Sequence, residues 1–292
     1  MSVVNSSNRE PEVIYSIRGA QFRGIRGRLL TTRLMARELI SSRELIFRLY
    51  ARDFSTKYRQ SALGVLWALL VPLATVAIFA GMNSAGVFTI EEMSVPYVVY
   101  ALLGISIFNL FNGVLIASTP SVVFAQNMVS KINFPKTALV FSASIHGLVD
   151  FAVRGVLLCG VFLLLKQSPH PAGSVLGVVA LLPLYLFSVG VAFFSTMLNA
   201  ILRDITNVVN FGCMGIMMLS PVLYPISGDS LVARFNVWNP FNYFINVPRD
   251  LILFGSSKQM VGYGIWSMIS LAVFYVGWRF FFIAQNRIVE RI

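Results

Sequence analysis

The sequence predicts an all-α polytopic membrane protein with six transmembrane helices, an N-terminal amphipathic interface helix, and re-entrant outer helices between spans five and six. Three observations lead there. Hydrophobic residues make up 57% of the 292-residue chain and charged residues only 12%, whereas about a quarter of an ordinary soluble domain is charged. The apolar residues gather into runs long enough to cross a bilayer, giving a mean hydropathy of +0.74. Basic residues are distributed one-sidedly: twelve of the 23 Lys and Arg precede Ser61, against five acidic residues.

The formal charge of +11 therefore does not point to nucleic acid. A basic arm joined directly to an apolar run reads as a cytoplasmic flank beside anionic lipid, and no basic-aromatic module accompanies it. The chain divides into a basic N-terminal extension (1–40), the amphipathic helix (41–60), the spanning region (61–284) and a short C-terminal tail (285–292). The first apolar run starts about sixty residues in and is too long for a signal-peptide core, so it is expected to direct insertion itself.

Ser41, Ser42, Arg43 and Glu44 match a capping box, with Ser41 as N-cap and Glu44 at N3. From there Glu44, Arg48 and Arg52 recur on one helical face, while Ile46, Tyr50 and Phe54 recur on the other. This predicts a helix with its apolar face in the headgroup region. It ends in a polar cluster, Arg52-Asp53 and Lys57-Tyr58-Arg59, just before the first span. Two readings fit that cluster: a lipid anchor with snorkelling cations, or a site for an anionic, phosphate-bearing headgroup.

The six spans are read as Ala62–Met82, Val95–Ser118, Ala138–Leu165, Val175–Leu198, Val208–Tyr224 and Val261–Ile283. With the N-terminus inside, seventeen Lys and Arg lie on inner flanks. Four lie outside (Lys166, Arg234, Arg249 and Lys258), so both termini are assigned to the cytoplasm. The first outer loop holds Glu91 and Glu92 and no cation. Between spans five and six, Leu231 to Phe254 is aromatic-rich and interrupted by Pro240 and Pro248. Two prolines eight residues apart break a single spanning helix, which predicts two short helices that dip in without crossing. A seventh span is the competing reading.

Within the third span, Asp150 and Arg154 are spaced i, i+4 and predict an intramembrane polar pair, either structural or guiding an anionic group. His146 belongs to the same face, and His170 reads as solvated. Gly104, Gly113, Gly147 and Gly155 permit close helix contact. Cys159 and Cys213 lie in apolar runs and read as packed side chains. No metal site or catalytic carboxylate constellation emerges. Tyr224, Trp238, Phe241 and Tyr243 read as anchors of the outer segment at the interface. The inner loop Val129-Ser130-Lys131-Ile132-Asn133-Phe134-Pro135-Lys136 carries apolar side chains that need a partner or the lipid surface to cover them.

These residues resemble a known family. Arg52-Asp53, Lys57-Tyr58-Arg59, Ser61, Leu63-Gly64, Trp67 and Pro72 look like the opening pattern of the polysaccharide, O-antigen and teichoic-acid exporters of the ABC-2 permease class. Ser130 to Lys136 is similar to that family's Lys-hydrophobic-Tyr/Asn-Phe-Pro-Arg/Lys loop. Leu148 to Phe151, Leu198-Asn199, Arg203-Asp204, Ser220 to Pro225 and Asn239-Pro240 continue the resemblance in order. It implies an inner-membrane permease that dimerises with a second copy of itself. It also implies that two copies of a cytoplasmic ATPase bind ATP and Mg in place of this chain. Val129 to Pro135 would then be the segment that docks on the ATPase, and a lipid-linked polysaccharide would be the cargo, its glycan sliding on the ring faces of Tyr224, Trp238, Phe241 and Tyr243. Capsule, teichoic acid, or a drug or lipid are the alternative cargoes. The chain itself carries no Gly-x-x-x-x-Gly-Lys-Ser/Thr phosphate loop.

Overall fold

The computed structural model describes residues 25–59, 64–85, 95–129, 131–132, 134–226 and 231–289. The predicted start of the first span at Ala62 and the Glu91-Glu92 loop lie outside the described residues, as does most of the N-terminal extension. Among the described residues the chain is helical and contains no strand.

Two helices precede the apolar region, α1 (Ile25–Ser41) and α2 (Arg43–Arg59). They run into one another at Ser42, whose amide donates to Glu38 O (3.0 Å) and whose carbonyl accepts from Ile46 N (2.9 Å). The predicted capping box does not form. The Ser41 hydroxyl donates back to Glu38 O (2.9 Å), because the α1 ladder continues through the joint and leaves no free helix start to cap. The two-faced pattern of α2 is present, but its apolar face is covered by protein rather than headgroups. Ile46 and Leu49 are buried with Ala138, Leu139 and Val140 of α7 (Thr137–Leu164). The opposite face carries the solvent-exposed Arg48–Glu44 ion pair (2.6 Å).

Four helical stretches are long and apolar enough to cross a membrane: Tyr97–Phe124, Thr137–Leu164, Pro171–Ile201 and Met260–Gln285. The first comprises α4 (Tyr97–Ser118) and the short α5 (Ser121–Phe124), followed by α6 (Gln126–Val129). The third is α8 (Pro171–Val179) and α9 (Leu182–Ile201), parted where Pro183 removes an amide. The fourth lies within α13 (Met260–Val289). Two further apolar helices are shorter, α3 (Trp67–Ser84) and α10 (Ile205–Leu219). The predicted fifth span runs to Tyr224, yet α10 stops at Leu219. Pro221 forces Ser220 into an extended conformation (φ −111°, ψ 155°).

The aromatic outer segment forms α11 (Leu231–Trp238) and α12 (Pro240–Phe254). Asn239 caps α12 by accepting from Phe241 N (3.0 Å), with Pro240 at the first helical position. Pro248 sits inside α12 without ending it, so only one of the two prolines divides the segment. At 1.5 Å per residue α11 and α12 reach about 12 and 22 Å, short of the ~30 Å hydrocarbon layer. α12 leans on α8. His170 N donates to Ile252 O (2.9 Å), and a Cβ on Gly173 would stand 2.0 Å from Leu251 O. His170 is not merely solvated, since its Nδ1 accepts from Gly173 N (3.0 Å) and caps α8.

Arg249, read from sequence as an outer-loop charge, is 1% exposed. Its guanidinium lies 3.6 Å from the Tyr100 ring centroid, donates to Pro221 O (3.1 Å), and also donates to Asn246 Oδ1. It thereby ties α12 to α4 and to the turn after α10. Close backbone approach recurs through the bundle. A Cβ on Gly104 would lie 2.0 Å from Val222 O, and one on Gly147 would lie 2.6 Å from Val114 Cγ2 and 3.0 Å from Leu110 O. A Cβ on Gly113 would lie 3.3 Å from Gly147 Cα across the same α4–α7 seam. Gly155, grouped with these from the sequence, has no atom within 4 Å of its Cβ position and makes no such contact.

Candidate functional site

A cavity of about 650 Å³ opens between α2, α4, α5 and α7. It joins features that lie a hundred residues apart in the sequence. Arg52 and Asp53 come from α2, Asn109 and Asn112 from α4, Ser121 and Phe124 from α5, and His146, Asp150 and Arg154 from α7. Its wall runs along α7 from Leu139 to Arg154, a rise of about 22 Å. Arg52 and Asp53 of the polar cluster therefore line one cavity with Asp150 and Arg154.

Each group has a structural cause for its place. Because Ile46 and Leu49 bind α2 to α7, the next turn carries Arg52 and Asp53 to the cavity mouth. Arg52 Nε and Nη2 both reach Asp53 Oδ1 (2.8 and 2.7 Å), so the guanidinium is held in orientation while half exposed. Its Nη1 contacts Met128 Sδ (3.8 Å) at the start of the inner loop. His146 packs against Tyr50 and Phe54, with ring centroids 5.0 and 6.4 Å away. Those two residues of α2 thus pack on α7 beside the cavity. Lys57, Tyr58 and Arg59 occupy the last turn of α2, and their side chains lie outside the described residues.

The inner loop is only partly the exposed apolar stripe that the sequence predicts. Val129 is buried at the end of α6, and Met128 and Phe134 pack on the cluster that includes Ile46 and Leu49. Lys131 and Ile132 project, Ile132 being 58% exposed. Pro135 is half-buried, and Ser130 and Asn133 lie outside the described residues. Inward packing of Val129 and Phe134 gives the projecting tip a rigid base.

That base is braced by a polar node invisible in the sequence. The Thr137 hydroxyl donates to Glu38 Oε1 (3.0 Å), and Lys136 N donates to Gln285 Oε1 (3.1 Å). Burial raises the Glu38 carboxyl above its ordinary value of 4.5, against the lowering effect of Thr137, Gln285 and Lys136. Burial lowers the Lys136 ammonium, with Glu38 opposing. A carboxyl raised in the docked state stabilises docking fully below 4.5, and that stability is lost as pH rises through the raised value. Lys136 acts in a separate window, below 10.5, where its buried charge opposes docking. Spin labels at Arg33 and Phe280 should therefore show α1 loosening from α13 as pH rises through the raised Glu38 value. Glu38→Gln should flatten that response; an unchanged pH profile in the variant would remove Glu38 as its source.

The four aromatics proposed to meet a glycan separate into distinct environments. Trp238 is 80% exposed and Tyr243 donates to Val237 O (2.9 Å), while Tyr224 donates to Met218 O. Phe241 is 4% exposed, wedged among Phe108, Phe111 and Phe187, and offers no free ring face. The local sequence of α12 does not reveal this, because it cannot show which face meets α4. Asn109 and Asn112 also escape a reading by motif. Their one signal is two carboxamides, three residues apart, on the otherwise apolar second span.

Residues 44–253 match the ABC-2 type transporter family. The chain is 24% identical to the O-antigen export system permease protein RfbA of Myxococcus xanthus, across 66% of this chain and 73% of that protein. It is also 24% identical to a Klebsiella pneumoniae protein of the same name, across 70% of this chain and 78% of that one. A second Klebsiella pneumoniae protein of that name is 22% identical across 76% and 88%. The family match begins at the start of α2 and ends in α12, so it takes in the cavity, the inner loop and the outer helices. The chain belongs to the ABC-2 type transporter family.

Proposed function

We propose that this chain is the membrane-spanning permease of an exporter that moves a lipid-linked, O-antigen-like polysaccharide across the inner membrane. The observation that carries the reading is the cavity. A guanidinium at its mouth, an aspartate and arginine deep on α7, and polar side chains between them suit a phosphate-bearing headgroup held at membrane depth. The relatives named for O-antigen export favour that cargo over capsule, teichoic acid or a drug.

In this reading α3, α4, α7, α8–α9, α10 and α13 make six crossings with both termini in the cytoplasm, and α11 and α12 are re-entrant from outside. Two copies assemble around a channel, and each rests on one copy of a separate ATPase that binds ATP and Mg. The projecting Lys131-Ile132 tip docks on that subunit. ATP-driven closure moves the tip, and the inward-packed Val129 and Phe134 pass the movement to α2 through the Met128–Arg52 contact. Differential contacts in the two ATPase states shift the balance between two channel arrangements. Trp238 and Tyr243 stand where an emerging glycan leaves.

Neutralising Arg52, Lys57 and Arg59 together should cut export by more than tenfold while leaving membrane insertion intact, measured by cell-surface glycan and membrane-fraction abundance. Export at the wild-type level in that triple variant would end the headgroup reading. The topology has its own test. In a chain freed of Cys159 and Cys213, an impermeant thiol reagent should label a cysteine at Ser256 from outside and one at Ile132 from inside. Labelling of both from one side would contradict six crossings.

A further inference from the structure

We infer that the cavity binds the sugar attached to the lipid phosphate, not the phosphate alone, and that Asn112 with Asn109 reads its hydroxyls. This rests on the headgroup reading above and adds a specificity element to it.

The inference follows from the acceptor chemistry of the wall. A site for phosphate alone needs donors and positive charge, because phosphate oxygens only accept. This cavity places two carboxylates, Asp53 and Asp150, beside its two guanidiniums, Arg52 and Arg154. Carboxylates repel phosphate and accept from hydroxyls. Between them α4 contributes Asn109 and Asn112, one helical turn apart on a common face. The Asn112 Oδ1 is buried and has no hydrogen-bond partner among the described residues. A buried acceptor left unmet is costly, and because Asn112 also lines the cavity, a turn of its carboxamide toward a ligand donor would satisfy it. A phosphodiester carries no such donor and a terminal phosphate only a minor one at neutral pH, whereas a hexose carries several. Guanidiniums for phosphate, with carboxylates and carboxamides for hydroxyls, match a phosphate-linked sugar on both halves, and about 650 Å³ leaves room for the two together.

The discriminating logic resembles that of any site built around hydroxyl groups. A buried polar wall rejects a ligand that cannot satisfy it more strongly than an apolar wall rejects an extra group. Bare lipid diphosphate should therefore bind less tightly than its glycosylated form, although bare diphosphate carries the higher charge. Simple electrostatic attraction predicts the reverse order.

The full-length chain in lipid nanodiscs is titrated with polyprenyl diphosphate, either bare or carrying one glucose, one galactose or one N-acetylglucosamine. At least one glycosylated form should bind about tenfold more tightly than the bare lipid, the worth of a buried hydrogen bond. Asn112→Leu should erase that preference, so that glycosylated and bare lipid bind alike, whereas Asn112→Asp, which keeps an acceptor, should retain it. Arg52→Gln should weaken all forms alike. Thermal unfolding of each variant separates misfolding from lost recognition, and the wild-type comparison stands without any variant. Equal or weaker binding of all three glycosylated forms overturns the sugar inference while the phosphate site stands. Equal weakening of bare and glycosylated forms by Asn112→Leu in a folded variant also overturns it. Failure of every lipid to bind the wild type overturns the headgroup reading itself.

Discussion

Ile132→Asp is expected to abolish transport-linked ATP hydrolysis, by more than a hundredfold, in a chain that still folds and inserts. Ile132 is an exposed large apolar side chain at the loop tip. If the tip docks on an ATPase, a carboxylate there must be desolvated against an apolar surface, at a cost of roughly 3 kcal/mol or more. Each 1.4 kcal/mol is about tenfold in binding. Phe134→Asp is a less clean probe, because Phe134 packs on the α2–α7 cluster and its loss also loosens the loop base. Charge reversal at exposed Lys131 should be milder, since exposed ion pairs contribute about 0–1 kcal/mol. The measurement is ATP turnover of the reconstituted permease–ATPase complex with lipid-linked glycan present. Undiminished stimulation in Ile132→Asp would place docking elsewhere on the chain.

Gly104→Val should prevent the outer half of the bundle from assembling. The first added carbon would lie 2.0 Å from Val222 O and 3.1 Å from Arg249 Nη1. Backbone occupies the first position and a fully buried guanidinium the second, so neither can move aside locally. The α4 helix must separate from the turn after α10, which also breaks the Arg249 contacts to Tyr100 and Pro221. The expected destabilisation exceeds about 3 kcal/mol, beyond the usual range for core overpacking. Gly155→Val is the matched control, because no atom stands within 4 Å of that Cβ position. Thermal unfolding in detergent should show a large loss for the first and little change for the second. Equal behaviour of the two would mean that the α4 seam is less tightly closed than described.

The strongest apolar periodicities were the most legible. The third span, read as Ala138–Leu165, is Thr137–Leu164 in the structure, because Pro135 and the left-handed Lys166 (φ 52°) punctuate it sharply. Local patterns failed where a neighbouring element competes for the same groups. Ser41 is a good N-cap by type, but α1 delivers a continuous ladder through it. Pro248 is a good breaker by type, yet α12 continues through it while packed on α8. Arg249 has the composition of a loop charge and the surroundings of a buried brace, a distinction set by Tyr100, which lies 149 positions earlier. The candidate site was legible as two fragments. Arg52-Asp53 stood out by charge density and Asp150/Arg154 by their cost inside an apolar run. That they share one cavity depends on α2 folding onto α7, a tertiary contact that no local spacing encodes. The basic extension likewise gave no sign that Glu38 would brace the inner loop through Thr137, Lys136 and Gln285.

The central claim is that this chain moves a lipid-linked glycan only when a separate ATPase drives it. Reconstitution into liposomes with fluorescent lipid-linked oligosaccharide on the ATP-accessible face tests it directly. With the partner ATPase and Mg-ATP, the glycan should become protected from a membrane-impermeant glycosidase added to that face. Without the ATPase, or with a non-hydrolysable nucleotide, it should remain sensitive. Protection by the chain alone, or continued sensitivity with the complete hydrolysing complex, would contradict the claim.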